Sequence, residues 1–322
     1  NLGADLSFFN QLNISVDYFK ENREGIFLQR KSIPMYVGLS TKPWVNIGKM
    51  RNSGIDASLE YHQPLGKDLH LTVRGNFTYA RNRIMDQDEP DYAYTYMNRS
   101  GQMQWQKFGL VAVGLFQDQE DIDSWTKQSF GEVKPGDIKY LDLNGDGIVD
   151  SYDTKPIGYS DIPEIVYGFG FSLQWKAFDL SAFFQGVAHV NFSTLTDQTQ
   201  AFVGRNLKES SVFADLYGNT WTPENPGAKY PRMTTGAVDN NNQLSTFWMA
   251  DGRYLRLKNL ELGYTLPKRI ANKIAMQNLR VYLSGVNLFT FSPFKLWDPD
   301  LQTGATNYPN NRIINLGLTI GF

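Results

Sequence analysis

The stretch Ile165–Gly186, IVYGFGFSLQWKAFDLSAFFQG, sets Ile165, Tyr167, Phe169, Phe171, Leu173 and Trp175 in one phase of a two-residue period, and Gly168, Gly170, Ser172 and Gln174 in the other. Successive side chains of a strand point to opposite faces, so this spacing predicts a strand with one apolar face and one small or polar face. Lys176-Ala177 then leaves room only for a tight turn, and Phe178 to Val187 returns as a second strand. Trp175 and Phe178 flank that turn in the apolar phase.

The alternation recurs in both directions along the chain. Ile55, Ala57, Leu59 and Tyr61 oppose Asp56, Ser58, Glu60 and His62. Leu69, Leu71, Val73, Phe77 and Tyr79 oppose His70, Thr72, Arg74, Asn76 and Thr78, and Ile314, Leu316, Leu318, Ile320 and Phe322 oppose Asn315, Gly317, Thr319 and Gly321. Leu2 to Phe8, Leu12 to Tyr18, Leu255 to Leu266 and Leu279 to Phe289 complete a set of about nine strands, each near the length that spans a bilayer when tilted. The Leu255 strand changes phase at Lys258-Asn259, which predicts a bulge there.

A soluble sandwich also alternates, but connection lengths separate it from a membrane barrel. Tight turns at Asn10-Gln11, Gln63 to Asp68, Lys176-Ala177 and Pro267 to Asn278 alternate with long loops at Asn22 to Arg51, Arg83 to Pro163, Ala188 to Arg253 and Ser292 to Asn311. Short turns on one rim and long loops on the other are the arrangement of outer-membrane barrels. Phe8, Tyr61, Trp175, Phe178, Tyr264 and Phe322 lie in the apolar phase beside the short turns, where an interfacial aromatic girdle belongs.

Composition agrees. The 322 residues carry a net charge of -2, no cysteine and 14% aromatics, which removes thiolate-metal and disulfide readings and offers no nucleic-acid footprint. Mean hydropathy is -0.40 and no run has the length of a transmembrane helix, a condition a barrel with a polar lumen satisfies. About nine strands cannot close, and unpaired backbone groups in hydrocarbon cost several kcal/mol each. The expected fold is therefore all-β, a transmembrane antiparallel β-barrel with long extracellular loops. Residues 1–322 are expected to form its C-terminal part, beginning in mid-fold.

One long loop, residues 84–162, contains LDLNGDGIVDSYD at Leu141–Asp153. With Asp142 as position 1 of an EF-hand-type loop, Asn144, Asp146, Asp150 and Asp153 fall at the side-chain ligand positions, Ile148 offers its carbonyl, and Gly147 takes the sharp turn. A hard cation takes oxygens wrapped tightly around it, so the spacing points to calcium in a structural role. Asp153, where EF-hands have Glu, is the pattern of dockerin-type loops; an Asx-rich turn without metal is the plainer reading.

The segments GDIKYLDLNGDGIVDSYD, Ile157-Gly158, PEIVYGFGFSLQWKAFDLSAFFQG, DGRYLRLKNLELGYTLP and LRVYLSGVNLFTF, with a last strand closing on Phe322, resemble the C-terminal half of the SusC/RagA family of TonB-dependent outer-membrane transporters. The resemblance runs from about Gly54 to the end. It implies a barrel of about 22 strands filled by an N-terminal plug. It also implies a SusD-like surface lipoprotein as lid, energy from the TonB complex through a region outside these residues, and pairing of transporter–lipoprotein units. The outer membrane of a diderm bacterium is the implied location, and Phe322 is the implied signal to the barrel assembly machinery.

Catalytic constellations are weak. His62 and His70 lie in the lumen phase near Glu60 and Arg74, and His189 precedes Ser193 at a loop start, but no nucleophile motif accompanies them. Trp105, Trp125, Trp221 and Trp248, with Tyr92, Tyr94 and Tyr96, fall in long loops, where they stack on sugars or peptide side chains or simply pack the loops. Asn219 to Tyr230 reads as the tip of its loop. The expectation is a non-enzymatic importer of a large nutrient, a glycan or peptide. The alternatives are a secreted, soluble calcium-binding β protein that binds carbohydrate, or a passive barrel.

Overall fold

The computed structural model describes residues 1–196, 199–200, 213–274, 276–304 and 307–321. Its frame is a nine-stranded antiparallel sheet in which every strand pairs with its sequence neighbours. The strands are β1 (Leu2–Phe8), β2 (Leu12–Gln29), β3 (Trp44–Pro64), β4 (Leu69–Asp86), β5 (Ile165–Trp175), β6 (Phe178–Ala188), β7 (Tyr254–Thr265), β8 (Asn278–Phe291) and β9 (Ile313–Gly321). Consecutive pairing is the up-and-down order of a barrel wall, left open here between β1 and β9.

Register brings the apolar phases together. Phe8, Leu12, Tyr61, Val73, Phe171, Ala182, Leu260, Gly285 and Ile314 are successive cross-strand partners, one row running across all nine strands. Because the period is two, residues an even step away from this row share its face as far as the register runs unbroken. That face carries Phe169, Leu262, Leu283, Leu316 and Leu318 largely exposed, an apolar band that needs hydrocarbon rather than water. The soluble alternative fails on this point. Trp175, Phe178 and Tyr264 line up on the short-turn rim with ring centroids 6.3 and 4.8 Å apart, and Phe8 and Tyr61 lie in the same phase. Phe322 lies outside the described residues.

The bulge falls where the phase change placed it. Phe183 pairs with Asn259 and Phe184 with Leu257, so Lys258 has no partner on β6. Asn287, opposite it on β8, takes a left-handed φ of 53°.

Two expectations about the loops need correction. Asn22 to Arg51 is not a loop, because β2 and β3 run 18 and 21 residues and leave only residues 30–43 between them. Likewise the long excursion starts after Asp86, so residues 84–86 belong to β4. At ~3.3 Å per residue, 18 residues span ~60 Å, well beyond what a bilayer crossing by a strand requires. These strands therefore rise above the apolar band. Just above the band Glu21 and Arg23 lie on one face and Asn22 on the other, and higher up apolar residues follow one another, Ile26, Phe27 and Leu28 on β2 and Trp44 and Val45 on β3, so no two-residue period marked them.

The excursion carries a core of its own. Leu110, Leu115, Ile138, Tyr140 and Val149 from residues 87–164 pack with Leu216, Trp221, Tyr230 and Trp248 from residues 189–253 into one buried core above the sheet. Backbone bonds join the two loops, from Leu110 N–H to the Leu244 carbonyl at 2.9 Å and from Thr246 N–H to the Leu110 carbonyl at 3.0 Å. Among the described residues, no helix is long and apolar enough to cross a membrane.

Candidate functional site on the long-loop rim

The two long loops form a cap, and ion pairs tie it to the wall. Asp137 is fully buried and accepts hydrogen bonds from Arg232 Nε at 2.8 Å and Nη2 at 3.2 Å, from Asn241 Nδ2 at 2.9 Å and from the Lys134 N–H at 2.8 Å. Next to it Gln128 donates to the Ile138 carbonyl and to Asn240, while its Oε1 accepts from the Tyr140 N–H. Every member of this network is satisfied, the condition under which buried polar groups specify one packing. Lower down, Arg81 of β4 holds the buried Glu164 carboxylate through two bonds of 2.5 and 2.9 Å, fixing the chain where it re-enters the wall. Arg256 of β7 is nearly inaccessible and grips the last loop through Asp300 at 2.6 Å and through Asp298.

The remaining clamp lies between the β2–β3 connection and the start of the excursion. Asp88 accepts from Arg30 Nε at 2.9 Å, from the N–H groups of Lys31 and Ser32, and from Ser32 Oγ. Burial by itself raises this carboxyl, but those donors outweigh it and hold Asp88 well below the usual carboxylate range.

The calcium-type loop sits on the cap surface. Asp142 accepts from the N–H groups of Gly145 at 2.6 Å and Gly147 at 2.9 Å, Asp146 from Ile148 at 2.9 Å, and Asp150 from Tyr152 at 2.7 Å. Fully buried Asp153 accepts from Leu143 and Asp150 N–H at 2.6 and 2.7 Å. Gly145 and Gly147 take φ of 76° and 88°, the left-handed turns such a wrap requires. All donors to these carboxylates come from the loop itself, and no Lys or Arg neutralises them among the described residues. Burial, followed by the charge of Asp153, Asp146 and Asp142, pushes the neighbouring Tyr96 hydroxyl upward. An oxygen-only, uncompensated anionic loop suits a hard divalent cation. Among the described residues no three acidic or histidine side chains already converge on a point, so ligation would draw on Asn144 Oδ1 and the Ile148 carbonyl as well.

The catalytic candidates disperse. His62 lies 3.2 Å from Glu60 and 3.1 Å from Thr72 Oγ1 on the polar face, and Glu60 is also held by Arg74 at 2.9 Å. His189 binds Glu164 at 3.1 Å and stacks on Tyr159, whereas Ser193 Oγ accepts from the Leu195 N–H. Of the aromatics, Trp221 and Trp248 are core, and Trp125 donates to the Tyr140 carbonyl at 2.9 Å. Trp105 is 63% exposed, and Tyr94 and Tyr96 stack at 5.3 Å. Asn219 to Tyr230 is no tip, because Trp221 N–H bonds the Tyr230 carbonyl and both rings enter the core. The ion pairs Arg232–Asp137, Arg256–Asp300 and Arg81–Glu164 had no local signal, since their partners are far apart in sequence.

The chain is similar to TonB-dependent receptor P3 of Formosa agariphila, with 29% identity over all of this chain and 34% of that protein. It is similar also to TonB-dependent receptor SusC of Bacteroides thetaiotaomicron, with 25% identity over all of this chain and 31% of the relative. The RagAB peptide transporter structure superposes on 99% of this chain and 34% of its own with a TM-score of 0.73 at 22% identity. The chain thus spans about a third of the length of these relatives, which are named as receptors and transporters rather than enzymes. The family profile described as TonB dependent receptor-like, beta-barrel matches residues 1–288, and with the open antiparallel wall, the apolar band and the asymmetric rims it makes this chain a member of that outer-membrane barrel family, of the SusC/RagA type.

Proposed function

We propose that this chain is part of an active importer of a large nutrient, an oligosaccharide or a peptide, in the outer membrane of a diderm bacterium. The observation that carries the reading is the ordered cap: two long loops share a buried core at the long-loop rim, a surface suited to holding a partner rather than leaving a pore open. A SusD-like surface lipoprotein would dock there as a lid, with TonB supplying energy through a region outside these residues. The RagAB relative is a peptide transporter, and peptide and oligosaccharide both stand as the substrate class here. The polar lumen face, with Arg74 paired to Glu60 and Arg280 bridging Asp179 and Glu261, keeps charges hydrated along the route. The loop from Asp142 to Asp153 is proposed to bind calcium structurally, stiffening the cap, with Asp142, Asn144, Asp146, Ile148, Asp150 and Asp153 as the ligand set.

The test is uptake of labelled oligosaccharides and peptides by cells with and without the intact protein, together with affinity purification. Energy-dependent uptake lost on deletion and on protonophore treatment, with a lipoprotein co-purifying, is expected. Unchanged growth of the deletion strain on every polymeric nutrient, with no lipoprotein recovered, would leave a passive barrel.

A further inference from the structure

Above the apolar band, the outward phase of three neighbouring strands turns basic. On β4 that phase runs Leu69, Leu71, Val73, Gly75, Phe77, Tyr79 and then Arg81 and Arg83. Register aligns the levels: Tyr18, Ile55 and Tyr79 form the top apolar row, Lys20, Ser53 and Arg81 the next, and Asn22, Arg51 and Arg83 the one above. Each row is ~7 Å further along the strands, so the cations begin directly where hydrocarbon ends. Arg81 is committed to Glu164. Lys20, Arg51 and Arg83 have no carboxylate within ion-pair distance among the described residues, and Arg51 is oriented by Asn22 Oδ1 at 3.0 Å. The inward residues at these levels, Glu21, Asn52 and Asn82, carry no such cluster, and Glu21 is itself paired with Arg23. A generic solvated rim would distribute charge over both faces; this one concentrates it on the face that continues the lipid surface.

We propose that Lys20, Arg51 and Arg83 form a binding site for the phosphate groups of an anionic lipid in the outer leaflet. Arginine forks match phosphate oxygens bidentately, and the Tyr18 and Tyr79 rings beneath them sit at the depth of the headgroup boundary, where the acyl chains of the same lipid would lie against Phe77 and Ile55. The site rests on the barrel and its register alone, independent of any transport activity.

The experiment uses the intact protein in detergent with a bisphosphorylated acyl-disaccharide lipid, the same lipid stripped of phosphate, and inorganic phosphate, counting retained molecules by native mass spectrometry. The phosphorylated lipid should be retained and the stripped one lost, with inorganic phosphate failing to displace. Substituting Lys20→Gln, Arg51→Gln and Arg83→Gln together should weaken retention roughly a hundredfold, at about fivefold per surface charge removed. Arg51→Lys with Arg83→Lys should keep most of it, and Arg23→Gln on the inward face should change nothing. Equal retention of the stripped lipid, displacement by inorganic phosphate, or a triple variant that binds like the parent would each overturn the site. Heat-modifiable migration reports whether the variants fold, and the comparison of the two lipids on the unaltered protein decides the matter if they do not.

Discussion

Phe171→Arg tests the lipid face, and its depth follows from the structure. Phe171 lies in the outward phase of β5, two outward positions from Trp175 in the girdle. Four residues at ~3.3 Å are ~13 Å along the strand, and a tilt of ~40° makes that ~10 Å of depth. Half of an apolar band ~25 Å tall is ~12 Å, so Phe171 sits close to the midplane. Arginine at that depth is expected to cost about 2–4 kcal/mol, a drop of roughly thirtyfold to a thousandfold in the folded-to-unfolded ratio. Its neighbour Ser172 faces the lumen, paired with Ser181 and Thr72, and Ser172→Arg should cost less than about 1 kcal/mol because the charge stays hydrated. Phe171→Ala measures the lost ring separately. The assay is urea titration of the intact protein folded into vesicles, read by tryptophan fluorescence and heat-modifiable migration. Equal losses for the Phe171→Arg and Ser172→Arg variants would refute the assignment of faces, and with it the barrel's inside and outside.

The Asp88 clamp should depend on pH in a defined sense. Its folded carboxyl lies below the ordinary 3.8, so its contribution is complete above that value and disappears as pH falls through the folded one. Protease cleavage within residues 30–43 should therefore be flat from neutral pH to about 5 and rise only in stronger acid, and Asp88→Ala should open the segment at every pH; opening between pH 7 and 5 in the parent protein would count against the clamp. Chelation should raise hydrogen exchange across residues 141–153 while β5 and β6 stay protected, and Asp142→Ala or Asp146→Ala should mimic it, with calcium rebinding at about 10⁻⁴ to 10⁻³ M. Identical exchange with calcium and with chelator would dismiss the metal.

Local periodicity was enough to place the wall. Alternation from Leu69 to Tyr79 and from Ile165 to Trp175 located strands, faces and girdle, and the phase slip at Lys258-Asn259 located the bulge, because side chains one residue apart on a strand must meet opposite environments. The Asp, Asn and Gly run from Asp142 to Asp153 marked a tight turn, and its carboxylates accept from the N–H groups of that same segment. Only the tertiary structure decided the rest. The upper halves of β2 and β3 are held by backbone pairing, with Glu21, Asn22 and Arg23 polar on both faces and Ile26, Phe27 and Leu28 apolar in succession, so they carry no two-residue period. The cap depends on Tyr140 and Leu110 meeting Trp221 and Trp248, and on Asp137 meeting Arg232 across 95 positions of chain. Such partners are chosen by burial and charge compensation once distant segments come together, and nothing in either segment alone records the other.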